Sequence, residues 1–208
     1  MPLNVQYGCG LSDPDGWKNF DSSPTLMLKK IPLVGLFIKK VDFSPRILYG
    51  DILKGLPKIN SENCDAIYCS HVLEHLSLND LRLALLNTFK LLKPGGVFRF
   101  VLPDLEYSID HYTNRRNNGE LDAANKFMYE TMLGIENRPK SIKDKIIFLF
   151  GNSHHLWMWD KHTMNIELEN TGFTYIRYCF FNDSLNLNFL NVEEKSRFEN
   201  AIAFECIK

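Results

Sequence analysis

Two apolar runs with an amphipathic helical segment between them constrain the fold more than any other feature of the chain. Residues 65–70 (Asp-Ala-Ile-Tyr-Cys-Ser) and 97–102 (Val-Phe-Arg-Phe-Val-Leu) are typical of strands buried on both faces. Between them, Ser77 is a predicted N-cap, and apolar residues recur at helical spacing from Leu78 to about Leu92. Residues 93–96, Lys-Pro-Gly-Gly, are predicted to end that helix and turn the chain. Strand–helix–strand order of this kind indicates a parallel sheet.

The same patterns predict further elements on both sides of this unit. Strands are expected at residues 4–7, 18–21, 46–49, 174–181 and 201–207, and a helix at about 161–170, ending at Gly172. Residues 104 to about 152 are polar, which predicts an inserted helical lid of two helices separated near 134–139. The prediction is a single α/β domain over residues 1–208. It has a Rossmann-like, mostly parallel seven-stranded sheet with helices on both faces.

Composition excludes some classes of function. The 208 residues carry a formal net charge of -1, whereas a general nucleic-acid binder needs a basic surface. Five cysteines, an odd number without a C-x-x-C pair, indicate reduced thiols and a cytoplasmic location. The first residues lack the basic start and apolar stretch of a signal peptide. Oligomeric state is not readable from these features.

One apolar segment, residues 31–38, is flanked by lysines on both sides. It is too short to cross a bilayer, which needs about 20 apolar residues, so no transmembrane segment is expected. The favoured interpretation is an edge of the domain packed on the core. Peripheral contact with an anionic membrane surface or a lipid-linked substrate is the alternative.

Glycines and carboxylates follow several of the predicted strands. Right-handed crossovers bring the carboxyl ends of parallel strands to one edge of the sheet, where ligands bind. The pair Gly8 and Gly10 lets the backbone approach a ligand closely. Asp21, after the second strand, is placed to accept both ribose hydroxyls, and Asp51, after the third, to accept from an amino group such as that of adenine. The pattern predicts a nucleoside site.

With these motifs in this order, the chain resembles the class I methyltransferase superfamily, in particular its methyltransferase-11-like group. The motifs are Tyr-Gly-Cys-Gly (7–10), Gly-Trp-Lys-Asn-Phe-Asp (16–21), Gly-Asp-Ile (50–52), the string from Cys64 to Leu76, Leu-Leu-Lys-Pro-Gly-Gly (91–96) and Leu-Pro-Asp (102–104). The resemblance departs at Gln6, where an acidic residue is usual, at Ser12, where glycine is common, and in a nearly absent first helix.

The resemblance implies S-adenosylmethionine as cofactor and S-adenosylhomocysteine as product. The residues it assigns to cofactor binding are Tyr7, Gly8, Cys9, Gly10, Asp21, Ser22, Asp51, Ile52, Ser70 and His71. Methyl transfer from a sulfonium needs an aligned acceptor and excluded water rather than a protein nucleophile. No metal is therefore expected. The near-neutral charge and the histidine- and tryptophan-rich residues 152–160 favour O- or N-methylation of a small molecule or saccharide.

A hydroxyl or ammonium acceptor must lose a proton, and histidine is the usual base near neutral pH. Residues 152–160 (Asn-Ser-His-His-Leu-Trp-Met-Trp-Asp) suit the wall of a substrate site, so His154 and His155 are the catalytic candidates. Alternatively, the tryptophans are core residues and His154 is a structural hydrogen-bond donor. Further candidates are Asp104, at a position that faces the methyl group in this architecture, and His71. Tyr107, His111 and Tyr112 could close over the site or belong to an amphipathic lid.

Three other functions are compatible with parts of the sequence. Residues 71–75 fit the zinc-peptidase pattern H-x-x-E-H, but His71 is predicted to precede the helix, so the two histidines would not share a helical face. In the favoured interpretation Glu74 and His75 are mainly structural. A nicotinamide dehydrogenase would need a longer spacing between the glycine turn and its acidic residue. A non-catalytic nucleoside-binding or scaffold protein is the stronger alternative.

Overall fold

The computed structural model describes residues 2–30, 42–141 and 154–208. The apolar segment 31–38, with its predicted edge packing or membrane contact, lies outside the described residues. So do Asn152 and Ser153 of the histidine-tryptophan segment. Among the helices that are described, none is long and apolar enough to cross a membrane.

The described residues contain seven strands and five α-helices. The strands are β1 Asn4–Tyr7, β2 Trp17–Asp21, β3 Leu48–Tyr49, β4 Cys64–Ser70, β5 Leu92–Pro103, β6 Thr174–Tyr178 and β7 Ala201–Ile207. The helices are α1 Pro24–Lys29, α2 Leu78–Leu91, α3 Leu105–Asn117, α4 Ala123–Glu130 and α5 Lys161–Thr171, with 3-10 turns at Leu73–His75, Leu187–Asn191 and Lys195–Phe198.

The strands form one sheet in the order β3-β2-β1-β4-β5-β7-β6. Parallel pairing joins β3 to β2, β2 to β1, β1 to β4 and β4 to β5, whereas β7 is antiparallel to both β5 and β6. The predicted α/β class with a mostly parallel seven-stranded sheet is confirmed. Because the first five strands are parallel, their carboxyl ends meet at one edge, on either side of the reversal at β1 and β4.

Two apolar clusters cover the two faces of this sheet. On one face, Leu85 of α2 and Leu168 of α5 pack with Ile67 and Phe100 of the central strands. On the other face, Tyr68 and Phe189 belong to a smaller cluster that includes the 3-10 turn Leu187–Asn191. The alternation of Ile67 and Tyr68 between clusters follows from the two-residue period of a strand. Both faces of β4 are therefore buried, as its apolar run predicts.

Helix ends follow local chemistry. The Ser77 hydroxyl accepts a hydrogen bond from the Asp80 N–H at 3.3 Å, and an Asp160 carboxylate oxygen accepts from the Thr163 N–H at 2.7 Å. Gly172 ends α5 with φ 106°, in the left-handed region. The predicted bounds of α2 and α5 are confirmed to within a residue.

One local prediction was wrong, and one break was missed. The predicted turn at residues 93–96 lies inside β5, because Leu92 already pairs with Cys64 and a register shift absorbs the glycines. The polar region also breaks between Asn117 and Ala123, which was not predicted. The predicted break at 134–139 lies in the non-helical stretch that follows α4, and most of the second predicted helix lies outside the described residues. Helix α3 ends where Asn118 and Gly119 leave the helix, so residues 104–130 hold two helices instead of one.

Candidate active site

The glycine turn after β1 lies directly against the loop after β4. Gly8 and Gly10 have φ of 64° and 57°, in the left-handed region that glycine adopts without strain. A Cβ at Gly8 would lie 2.2 Å from Val72 Cγ2, closer than any side chain allows. Only glycine lets the backbone pass between β1 and this loop.

Asp21 ends β2 beside that turn. One carboxylate oxygen accepts the Gly10 N–H at 2.9 Å, and the other accepts the Ser23 N–H at 2.8 Å. Each oxygen has two lone pairs, so one remains on each for a ligand hydroxyl. The side chain is 8% exposed and lines the adjoining cavity, so its orientation is fixed before a ligand arrives.

That cavity, which we call the cofactor cavity, has a volume of about 300 Å³, within the range of small-ligand sites. It is lined by Tyr7, Gly8, Gly10, Leu11, Asp21, Ser22, Ser23, Phe43, Gly50, Ile52, His71, Val72 and His75. Most residues that the sequence assigned to the cofactor are among them. The glycine turn, the oriented carboxylate and the apolar Ile52 and Phe43 fit a nucleoside with a ribose and a flat base.

Three of the assigned residues do not line this cavity. Cys9 is buried, with its thiol 3.6 Å from the Gly10 carbonyl oxygen, and burial raises the pKa of that thiol to about 12. Ser70 lines a smaller neighbouring cavity of about 60 Å³ together with Cys9. Asp51 accepts the Leu53 N–H at 3.0 Å and pairs with Lys54 at 3.2 Å. Their roles toward a cofactor remain predictions.

Sequence reasoning missed several lining residues. Gly50 lies between β3 and Asp51, and a Cβ there would lie 2.6 Å from the Phe20 ring. The glycine beside a strand end was the available signal. Phe43 carried no such signal, because an apolar residue in a loop is not distinctive. His75 belonged to a recognised motif but was assigned a structural role.

His71 follows β4 with φ 53°, a conformation that is uncommon for residues other than glycine. Its Nε2 lies 2.9 Å from the Arg197 carbonyl oxygen, and its Nδ1 lies 3.3 Å from Glu74 Oε1. Burial acts to lower the pKa of His71, but these two partners outweigh it and raise the pKa above its ordinary value. His71 lies before the 3-10 turn that holds His75, so the two histidines do not share a helical face.

The segment after residue 153 docks on the same loop. The Leu156 and Trp157 N–H groups donate to the Glu74 carbonyl oxygen at 2.8 and 3.2 Å. His75 Nδ1 lies 2.9 Å from the carbonyl oxygen of His154. The rings of His75 and His155 pack edge-to-face with centroids 5.0 Å apart. Two stretches about 80 residues apart in sequence therefore share one wall of the site.

The two tryptophans of this segment differ in environment. Trp159 is 2% exposed and belongs to the core, as the structural interpretation predicts, whereas Trp157 is 43% exposed. His155 is 8% exposed, and burial lowers its pKa below the ordinary value. A neutral imidazole at this position can accept a proton or a metal ion.

Asp104 caps α3, since one of its carboxylate oxygens accepts the Glu106 N–H at 2.9 Å. It lines a cavity shared with Lys161 and Tyr178, not the cofactor cavity. Tyr107 and His111 line another cavity of about 340 Å³, between α3, α4 and Met158, which we call the α3–α4 cavity. The structure thus places His71 in the wall of the cofactor cavity, His155 against His75, and Asp104 in the wall of a different cavity.

Comparison with known proteins gives one family and a large set of related folds. A family model described as a methyltransferase domain matches residues 13–178. A methyltransferase dependent on S-adenosylmethionine from Archaeoglobus fulgidus superposes with a TM-score of 0.52 at 14% identity, over 100% of this chain and 86% of that one. A possible histamine N-methyltransferase from Thermotoga maritima gives 0.51 at 12% identity, over 100% and 83%.

A third solved structure holds ligands. Phosphoethanolamine N-methyltransferase 2 from Haemonchus contortus, in complex with phosphomonomethylethanolamine and S-adenosylhomocysteine, gives a TM-score of 0.50 at 11% identity. The match covers 100% of this chain and 49% of that one. At these identities the likeness is one of fold. No curated protein sequence matches the chain.

Proposed function

The chain belongs to the methyltransferase domain family and uses S-adenosylmethionine as its cofactor, and from this premise we propose that it methylates a hydroxyl or amino group of a small molecule or saccharide. The α3–α4 cavity carries this proposal. Its volume of about 340 Å³ suits a low-molecular-weight ligand, and its lining includes Tyr107, Ser108, His111 and Glu130. Such hydroxyl, imidazole and carboxylate groups bind polar substrates by hydrogen bonds.

The position of this cavity supports its use by an acceptor. His75 lines the cofactor cavity, and Thr131 lines the α3–α4 cavity. The His155 ring packs on the His75 ring. The backbone N–H of His155 donates to the carbonyl oxygen of Met132, next to Thr131, at 3.2 Å. The two histidines therefore stand between the cavities, where a methyl donor and an acceptor would meet. That residues 104–152 form a lid over these cavities remains a proposal.

The residues of the chain would contribute binding, orientation and proton removal. The bound cofactor supplies an electrophilic methyl group on its sulfonium. The Gly8–Gly10 turn and the oriented Asp21 carboxylate hold the nucleoside, so the donor is positioned without reorganisation of the protein. Alignment of this kind contributes up to about 7–11 kcal/mol to lowering the barrier. An imidazole of the His154/His155 pair takes the proton from a hydroxyl or ammonium acceptor.

Related folds illustrate acceptors of this class. The Haemonchus contortus enzyme binds phosphomonomethylethanolamine, and the Thermotoga maritima protein is described as a possible histamine N-methyltransferase. Both acceptors are small polar molecules. We propose the same class for this chain, whose formal charge of -1 also disfavours bulk nucleic acid. A cytoplasmic location is proposed from the reduced cysteines.

The test is methyl transfer from labelled S-adenosylmethionine to pools of small amines, phosphorylated amino alcohols, sugars and nucleotide sugars. S-Adenosylhomocysteine formation that depends on one pool supports the proposal. The double variant His154→Ala/His155→Ala should lower kcat by about 10²–10⁴-fold, whereas His162→Ala, an exposed histidine of α5, should not. Label that enters only protein or nucleic acid, or no transfer to any pool, would contradict it.

A further inference from the structure

The Glu74 carboxylate is buried without a hydrogen-bond partner in the part of the chain that the structure describes, which is unusual for a charged group. It is 0% exposed, and neither oxygen has a hydrogen-bond partner among the described residues. Its nearest charged or titratable neighbours are His71 Nδ1 at 3.3 Å and His155 Nε2 at 3.9 Å from Oε1. A buried carboxylate without good hydrogen bonds is costly unless a cation compensates it. Among the described residues, these histidine nitrogens are the groups that can compensate the Glu74 charge, and neither makes a geometric hydrogen bond with it.

Three side chains converge at this point. Glu74, His75 and His155 each offer one ligand atom, and these atoms all lie within 4.8 Å of one another. In a tetrahedral zinc site, ligand atoms 2.0–2.1 Å from the ion are about 3.3 Å apart. Side-chain rotations that move each ligand atom by about 1 Å would bring the three atoms to this separation.

The histidines are prepared for ligation. His75 Nδ1 is 2.9 Å from the His154 carbonyl oxygen, so this nitrogen carries the proton and donates, and Nε2 keeps its lone pair. Metal-binding histidines usually donate their second nitrogen to a carbonyl or carboxylate in this manner. His155 is buried, with no hydrogen-bond partner for Nδ1 among the described residues.

We propose that Glu74, His75 and His155 bind one divalent transition-metal ion, with Zn²⁺ the expected metal. Two imidazoles and one carboxylate are the three protein ligands of many zinc sites that keep an open fourth position. Imidazole nitrogen favours zinc over magnesium, which prefers oxygen ligands.

The backbone holds these ligands together before metal arrives. Leu156 and Trp157 donate to the Glu74 carbonyl oxygen, which ties the segment of His155 to the loop of Glu74 and His75. This set differs from the zinc-peptidase pattern, because His71 is not among the three and the third ligand comes from a distant segment. It also departs from the sequence expectation of no metal.

The location gives the ion a role in the proposed reaction. His75 lines the cofactor cavity, so the open position would lie where donor and acceptor meet. A divalent ion lowers the pKa of an oxygen ligand, and would ease loss of the acceptor proton. Because His155 would bind the metal ion, His154 would be the member of the His154/His155 pair that takes the acceptor proton. This role rests on the proposed function, whereas metal binding itself does not.

The experiment measures zinc directly. The protein is stripped with EDTA, mixed with one equivalent of ZnCl₂ or MgCl₂, desalted, and its metal content is measured by mass spectrometry. Thermal unfolding is recorded with and without metal. The variants are Glu74→Gln and His155→Ala, and the control is His162→Ala. Titration with S-adenosylhomocysteine in EDTA tests the cofactor cavity separately.

We expect about one zinc per chain and no retained magnesium in the unmodified protein and in His162→Ala. Both cluster variants should bind zinc at least about tenfold more weakly and lose the zinc-dependent thermal shift. Metal-free Glu74→Gln should unfold no earlier than the unmodified protein, because it removes a buried charge. Absence of zinc binding, or equal binding by both cluster variants and the control, would overturn the metal site. Retained S-adenosylhomocysteine binding would leave the methyltransferase assignment intact.

Discussion

Asp21 accepts a hydrogen bond from the Gly10 N–H at 2.9 Å, so the end of β2 holds the glycine turn that follows β1. One carboxylate thereby orients the backbone of the turn and lines the cofactor cavity. Since its second oxygen accepts the Ser23 N–H, the side chain cannot rotate without losing both bonds. The turn and the carboxylate act as one preformed binding surface.

Substituting Gly8 and Gly10 by alanine distinguishes backbone strain at a positive φ from steric overlap of the added methyl group. Gly10→Ala should cost about 1–2 kcal/mol of stability, because φ is positive but nothing lies within 4 Å of the new Cβ. Gly8→Ala should cost about 1–3 kcal/mol more, because its Cβ would overlap Val72 Cγ2. Urea unfolding of both variants measures the difference, and equal losses would contradict the close approach of turn and loop.

Arg99 is a buried cation whose removal should be severe. It is 0% exposed, pairs with the equally buried Glu193, and lies 3.2 Å from Glu205 and 3.0 Å from Asp183. Arg99→Met leaves Glu193 without its counter-charge, so we expect a loss of about 3–5 kcal/mol in the free energy of unfolding.

The matched control for Arg99 is Arg82→Met. Arg82 pairs with Glu167 but has a side chain 53% exposed, so its removal should cost about 0–1 kcal/mol. Similar losses for the two variants, measured by urea unfolding, would show that burial does not set the strength of these pairs.

Asp65 should make stability depend on pH in the acid range. A hydrogen bond from Lys93 lowers the pKa of Asp65 below 3.8, helped by the Leu3 N–H. The stabilisation is present above the unfolded pKa and is lost as pH falls through the lower folded pKa. Asp65→Asn should be less stable at neutral pH, by up to about 1 kcal/mol for a partly exposed pair.

The difference between Asp65→Asn and the unmodified protein should shrink as pH falls below 3.8. Comparing the two at each pH cancels the titration of other carboxylates. Urea unfolding from pH 7 to pH 3 measures the difference in the free energy of unfolding between the two proteins. A difference that stays constant over this range would show that the lost stability comes from a contact that does not titrate.

The strands and the buried helices could be predicted because their signals are local. The continuous apolar run of β4 indicates a strand buried on both faces, and the spacing of Leu81 and Leu85 indicates a helix, α2, buried on one face. The break between α3 and α4 was missed because α3 buries none of its residues and α4 buries only Ala123, so no buried stripe marks where either helix begins or ends. The Asn118-Gly119 pair was the local signal that could have located it.

The candidate site was only partly predictable for a different reason. Residues at strand ends, such as Gly8 and Asp21, follow from topology, because parallel strands bring their carboxyl ends together. The contact of His155 with Glu74 and His75 joins segments far apart in sequence, so no periodicity or spacing reveals it. Apolar lining residues such as Phe43 gave no signal of their own.

Titration calorimetry with S-adenosylhomocysteine tests the central claim most directly. The unmodified protein should bind at about one site per chain. Asp21→Ala should bind at least about tenfold more weakly, because charged hydrogen bonds to the ribose are lost. Asp110→Ala, an exposed carboxylate of α3, should bind as the unmodified protein does. Absence of binding in the unmodified protein, or equal affinity in Asp21→Ala, would contradict the cofactor site described for this methyltransferase.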